Sequence, residues 1–309
     1  MDTLLYFAAR AAVAALQALP LRWVARLGRG IGALVYLADA RHRRVALANL
    51  SRCFEREKSP AEIRAIAKEN FRRIGENFAC AIKTAAMSID RLRPHLRLAG
   101  QEKLAPYQAA NRPRNVVAAI GHFGNFELFA RFGELFPLYR EATTYRGLRQ
   151  PGLNRVMQAL RARSGVLFFE RRTDAAALKA AMARGGILLG LLADQHAGAR
   201  GARIPFFGRE CSTTTAPAVF ALRYQSPLWT GFCFRTGLAE WVIEVGEEIP
   251  THHDGQPRST ENIMRDVNAA FERAVRRDPA NWFWVHNRWK APRPAPQPAP
   301  VAVLSEAEL

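Results

Sequence analysis

In the stretch GHFGNFELFA, residues 121 to 130, a histidine stands between two glycines at the end of an apolar run, and a glutamate follows five positions later. A carboxylate on one imidazole nitrogen leaves the other free to take a proton. His122 as general base, oriented by Glu127, could therefore activate a hydroxyl that a substrate supplies. The same two residues serve equally as a partly buried histidine beside a helix-start glutamate, since so short a motif arises often by chance. Arg146, Arg171 and Arg172 offer phosphate contacts or are plain solvated charge. His252, His253 and Asp254 have no third ligand at a matching spacing, so they read as a polar loop, and no metal is expected.

The surrounding elements give the histidine a defined place. Val116 to Ile120 is a short apolar run that reads as a buried strand, and Phe126 to Phe136 reads as a helix. His122 then falls in the turn at the strand's carboxyl end, where α/β folds bind ligands, and Gly121 and Gly124 let the backbone turn and a substrate approach. Val166 to Phe169 and Ile187 to Leu192 are further buried runs, separated by amphipathic stretches at Leu153 to Arg163 and Ala175 to Ala183. Strands at Leu228 to Phe234 and Glu240 to Val245 and a helix at Thr260 to Arg276 follow. The expected fold is α/β, with a mostly parallel or mixed central sheet flanked by helices.

Before the sheet lies a helical layer of about 90 residues. Ser59-Pro60-Ala61-Glu62 is a capping box with proline at the first helical position, and Ile63, Ile66, Ala67, Phe71, Ile74, Phe78 and Ile82 recur behind it at helical spacing. At the N-terminus the longest charge-free stretch, Ala11 to Leu21, has 11 residues, about half of what a membrane span needs. Asp2 and Arg10 also fit a secretory signal poorly. Arg22, Arg26 and Arg29 share a helical face beside Trp23, Leu27 and Ile31, the pattern of a helix lying in the lipid headgroup zone. A soluble hairpin docked on the protein's own core would look the same.

The 309 residues carry a net charge of +18, and six lysines among 45 basic residues leave arginine dominant. Such a chain suits anionic partners: a membrane surface, acidic substrates or nucleic acid. The arginines are spread along the chain, and no RNA-binding aromatic signature or zinc finger accompanies them, which argues against a nucleic-acid module. Cys53, Cys80, Cys211 and Cys233 lie far apart and fit reduced, packed thiols. APRPAPQPAP, from 291 to 300, and the acidic end after it read as a mobile tail.

GHFGNFE resembles the H-x4-(D/E) block of the lysophospholipid acyltransferase superfamily, in the form found in the bacterial lipid A late acyltransferases. RHRRVALANLSRCF (41 to 54), TYRGLRQPGLNRVMQALRARSG (144 to 165), LADQHAG (192 to 198), IPFFGRECSTTTAPA (204 to 218) and PANWFWVHNRWK (279 to 290) are similar to further blocks of that family in the same order. The resemblance spans about residues 40 to 290. It implies an enzyme with His122 as base and Glu127 as its partner, in which Arg163 and Asp194 match two further functional polar positions. Physically, Arg163 would stabilise an oxyanion or hold the donor, and Asp194 would anchor that arginine or a substrate hydroxyl, unless the two form a structural ion pair. Phe206 and Phe207 beside Gly208 become candidates to line an acyl channel, although paired aromatics are commonly core. Trp282, Phe283, Trp284 and Trp289 form either a membrane-facing edge or packing.

The implied reaction moves a fatty acyl chain from an acyl carrier protein or coenzyme A thioester to a hydroxyl of a phosphorylated glycolipid such as a lipid A precursor, without a cofactor. The setting would be the cytoplasmic face of the inner membrane. A lysophospholipid, ornithine lipid or mannosylated lipid is the alternative acceptor, and a non-catalytic basic binding protein is the alternative class. Phe126, where the family usually has tryptophan, and Ala193, where proline is common, bear on the acceptor. The expected organisation is a membrane-interacting helical segment over 1–40, an acyltransferase domain over 41–290 and a tail over 291–309.

Overall fold

The computed structural model describes residues 2–108, 114–199 and 201–290, so the tail expected from 291 onward lies outside the described residues. Helices α1 (Asp2–Ala18), α2 (Leu21–Ala38), α3 (Ala40–Phe54), α4 (Pro60–Thr84) and the single turn α5 (Ile89–Leu92) come first. The capping box forms as expected, with Ser59 accepting from the Glu62 N–H and the Glu62 carboxylate accepting from the Ser59 N–H. After it come β1 (Leu96–Ala99), β2 (Val116–Ile120), α6 (Phe132–Leu135), β3 (Arg140–Tyr145), α7 (Pro151–Arg161), β4 (Leu167–Glu170), α8 (Ala175–Arg184) and β5 (Ile187–Leu192). A hairpin of β6 (Ala202–Phe206) and β7 (Arg209–Thr213) precedes α9 (Ala216–Arg223) and the long pair β8 (Leu228–Gly237) and β9 (Glu240–Ile249). The small exposed hairpin of β10 (His252–His253) and β11 (Gln256–Pro257) and the helix α10 (Thr260–Arg277) complete the order.

Seven strands form one sheet in the order β1-β9-β8-β2-β5-β3-β4. Every neighbouring pair is parallel except β8 with β9, so the sheet is mixed at one edge and parallel through the centre. The α/β expectation is met. Instead of the single helix read over Phe126 to Phe136, the chain makes a 3-10 stretch from Phe126 to Arg131 followed by the one-turn α6. Strands β1, β3, β6 and β7 had no clear signal in the sequence, because β3 (REATTY) and β6 (ARIPF) carry charge or proline that masks the alternation.

One face of β2 and β5, carrying Val117, Ala119, Leu189 and Leu191, packs in a large core together with Ala218 and Ala221 of α9 and Phe271 and Val275 of α10. Phe206 and Phe207 belong to this filled side. Phe206 stacks on Trp289 and meets Trp282 and Phe207 edge-on, while Phe207 packs against Phe54. They therefore do not line an acyl channel: the β6–β7 hairpin docks on α10 and α3, and aromatic area here seals the core. Trp282 and Trp284 are likewise buried, which decides for packing over a membrane edge.

The N-terminal pair is an integral layer. Gly28 of α2 lies so close to α4 that a Cβ there would sit 2.5 Å from the Gly75 carbonyl oxygen, an approach only glycine allows. Arg29 pairs with Glu69 at 2.9 Å and with the fully buried Glu76 at 3.2 Å. It therefore joins α2 to α4 and is not directed at lipid phosphate, as its position on the helical face had suggested. On the outer surface Leu4, Phe7, Trp23, Leu27, Ile31, Leu34 and Leu37 remain exposed. No helix among the described residues is long and apolar enough to cross a membrane.

Candidate active site

His122 follows the carboxyl end of β2, and Asp194 follows the carboxyl end of the neighbouring strand β5. The parallel register Ile120↔Leu192 sets these two positions side by side. The Asp194 carboxylate accepts from His122 Nδ1 at 2.7 Å, from the His122 backbone N–H at 2.8 Å and from Trp282 Nε1 at 2.8 Å. Glycine at 121 leaves room for it, since a Cβ there would come within 3.2 Å of Asp194 Cγ and 2.7 Å of the Phe123 ring.

Burial by itself would raise the Asp194 pKa. The charge of His122, hydrogen bonds from its ring and backbone, and the Trp282 donor outweigh it and hold the carboxyl below its ordinary value. A carboxylate on Nδ1 fixes the proton there and leaves Nε2 as the basic nitrogen, the orientation a general base requires. The ring packs edge-on against Phe126 at 4.7 Å and lies beside Phe283 at 5.9 Å.

Glu127 is not the imidazole's partner. It accepts from Arg161 Nη2 at 3.0 Å, because the 3-10 stretch carries it toward α7 and Asp194 already occupies Nδ1. Asp194 in turn holds the imidazole, and no arginine is paired with it among the described residues. The arginine beside the site is Arg161 in place of Arg163. Met157 and Arg161 are four residues apart on α7 and face the same way, whereas Arg163 lies two residues further round, exposed in the turn after the helix. The Arg161 guanidinium sits over the Tyr145 and Phe168 rings, and its buried Nε has no partner among the described residues.

His122 and Glu127 open onto a chamber of about 730 Å³ that runs over the opposite face of the sheet from the filled core. Alternate residues line it: Val116, Ala118 and Ile120 from β2, Leu188, Gly190 and Leu192 from β5, Thr143 and Tyr145 from β3. Phe126, Phe129 and Phe132 roof it, and Trp229 and Val245 contribute from the far strands. Its deep end, at Val116, Leu104 and Phe132, is buried. Its mouth carries the exposed Arg146 and Arg171, both named from the sequence as phosphate contacts; Arg172 is exposed and outside the lining.

The sequence assigned His286, Trp282 and Arg288 no part in the site. His286 lines the chamber, and its Nε2 accepts from the His196 backbone N–H at 2.9 Å, so the neutral ring carries its proton on Nδ1. Burial, reinforced by His122, Arg288 and His196 and opposed by Asp194, pushes its pKa down to about 4. Trp282 braces Asp194, and Asn70 of α4 and Asn49 of α3 hold the segment that carries both residues by donating to the carbonyls of Ala280, Trp282, Trp284 and His286. Arg288, fully buried, donates to the Gln195 carbonyl just after Asp194 and to Thr213 Oγ1. The cue in the sequence was the dense aromatic and polar block at 279 to 290. Among the described residues no group of His, Cys, Asp and Glu is placed to hold a metal.

The site is thus a histidine held by a buried carboxylate at the rim of a parallel sheet, above an apolar chamber with cationic groups at its mouth, the form of a ligand pocket in an α/β protein. The family is more particular. Residues 1–291 match the family described as bacterial lipid A biosynthesis acyltransferase, and the chain belongs to it. A comparison with curated proteins returns no match.

Proposed function

We propose that this acyltransferase moves a fatty acyl chain from the thioester of acyl carrier protein or coenzyme A to a hydroxyl of a phosphorylated glycolipid, a lipid A precursor. The observation that carries the reading is the hydrogen bond of His122 Nδ1 to Asp194 directly above the apolar chamber. Nε2 of His122 takes the proton of the acceptor hydroxyl as its oxygen attacks the thioester carbonyl. The tetrahedral intermediate collapses, the C–S bond breaks, and the imidazolium returns its proton to the departing thiolate, so charge and protons balance. Arg161 and the Nδ1–H of His286 are the donors beside the chamber suited to the oxyanion. Arg146 and Arg171 suit the acceptor's phosphate.

The protein acts at the cytoplasmic face of the inner membrane, with the exposed apolar surface of α1 and α2 as its contact. Trp23, Leu27, Ile31 and Leu34 enter the acyl boundary, with the exposed Arg26 at headgroup level, whereas Arg22 is exposed but paired with Glu240 at 3.2 Å. Substituting His122→Ala is expected to lower transfer by about 10⁴-fold or more while thermal stability and vesicle binding stay at wild-type values. Turnover retained in that variant rejects His122 as the base. Mass spectrometry of lipids from a strain lacking the protein distinguishes the acceptors, since a lipid A short of one acyl chain is expected and a changed phospholipid or ornithine lipid with intact lipid A contradicts the assignment.

A further inference from the structure

We propose that Glu141 determines the chain specificity of the chamber: its carboxyl group forms the floor on which the methyl end of the acyl chain stops. This rests on the acyltransferase reading above and adds the residue that selects the donor.

The sheet register places Glu141 at the deep end. Glu141 pairs with Leu188, and Leu188 pairs with Val116, so the three form the lowest row of the lined face. Thr143, Gly190 and Ala118 form the next row, and Leu192 and Ile120 a higher one, below His122. From Val116 to Ile120, where the strand ends below the turn that carries His122, is four strand steps, about 13 Å at about 3.3 Å each. Carbon–carbon bonds of about 1.52 Å at about 111° advance about 1.25 Å apiece along an extended chain, so this depth holds on the order of 10 carbons.

A carboxyl group at the bottom of such a chamber is costly to bury unless it is hydrogen-bonded and neutral. Its carboxyl is wedged against α6, where a Cβ added to Gly133 would lie 3.0 Å from Oε2. Burial pushes its pKa up to about 8, against the Gly133 backbone N–H, which lowers it, and with Glu134 adding repulsion. The groups facing it are Glu134 of α6, which is itself paired with Arg131, and the uncharged Val116 and Leu188 of β2 and β5. At neutral pH Glu141 is therefore a neutral acid that can border a methyl group. Once ionised it charges the floor and disfavours the chain.

The test gives the full-length protein a ladder of saturated acyl-coenzyme A and acyl carrier protein thioesters in competition, with a lipid A precursor as acceptor. Glu141→Ala is expected to raise kcat/KM for longer chains over the wild-type preference by about tenfold or more, the usual worth of an added methylene in an apolar pocket. Glu141→Gln, nearly isosteric, is expected to keep the wild-type length preference. In the wild type donor KM is expected to rise as pH passes about 8, and Glu141→Gln should abolish that rise. Folding raises this group's pKa above its ordinary 4.5, so its contribution to stability is present below that value and lost as pH rises through about 8. Glu141→Gln should accordingly gain in Tm over wild type toward alkaline pH. Active variants with the wild-type ladder and a KM that rises as before would overturn the proposal, as a uniform loss of kcat for every chain would. Length-selective thermal stabilisation by the thioesters that changes in Glu141→Ala, without transfer in any form, would support the floor and overturn the catalytic reading instead.

Discussion

The two faces of the central sheet are built from the same strands and reach opposite ends. On one, Val117, Ala119, Leu189 and Leu191 are covered by α9 and α10 with almost no exposure. On the other, the alternating partners Ala118, Gly190 and Gly231 are small, and the space their missing side chains leave is the chamber. Packing density near that of a crystal is the rule in protein interiors, so an unfilled face bordered by bulky aromatics is a deliberate vacancy. The catalytic candidates stand at its carboxyl rim, and the filled face supplies the stiffness that holds them.

This contrast can be broken most sharply at the rim. Replacing Asp194 with Asn keeps the shape but no longer fixes the proton on Nδ1, and transfer is expected to fall on the order of 10⁴-fold, as for other His–Asp pairs. Glu127→Gln, which loosens only the contact with Arg161, should cost far less; steady-state kinetics showing the reverse order would return the orienting role to Glu127.

A second experiment exchanges the properties of the two faces. Ala118→Leu fills the vacancy and is expected to lower kcat/KM for the acyl donor by about 10-fold or more while leaving Tm nearly unchanged. Leu189→Ala hollows the packed face and should cost about 2–5 kcal/mol of stability with activity per folded molecule retained. Denaturant titration beside donor kinetics reads both, and equal effects from the two changes would show that the faces are not functionally distinct.

The smallest effect is expected at the brace. Trp282→Phe removes one N–H from the charged Asp194 carboxylate, a hydrogen bond of about 1.5–3 kcal/mol. Transfer should fall about tenfold with KM unchanged, and an effect on KM alone would place Trp282 in substrate binding instead.

Much of this molecule was legible in local sequence. The strand Ile187–Leu192 appears with the boundaries its apolar run predicts, and the capping box at Ser59 forms as written. His122 stands where a βα turn of this fold must put it. These features depend on period and on neighbours within a few residues, which a chain displays along its length. β3 stayed hidden because Glu141 and Thr143 of REATTY face a chamber and not a core.

Sequence alone thus determined the class of fold, the position of the histidine and, through the ordered blocks, the family. Only the tertiary structure decided who holds the imidazole. Glu127 is five residues away and turns to Arg161, while Asp194, 72 residues distant, is brought alongside by the register of β2 with β5. It also decided that Phe206 and Phe207 seal the core, that Arg161 and not Arg163 faces the site, and that one side of the sheet stays hollow. Spacing along the chain specifies which residues share a face, but contact between strands is set by pairing across the sheet, and that information exists only once the chain has folded.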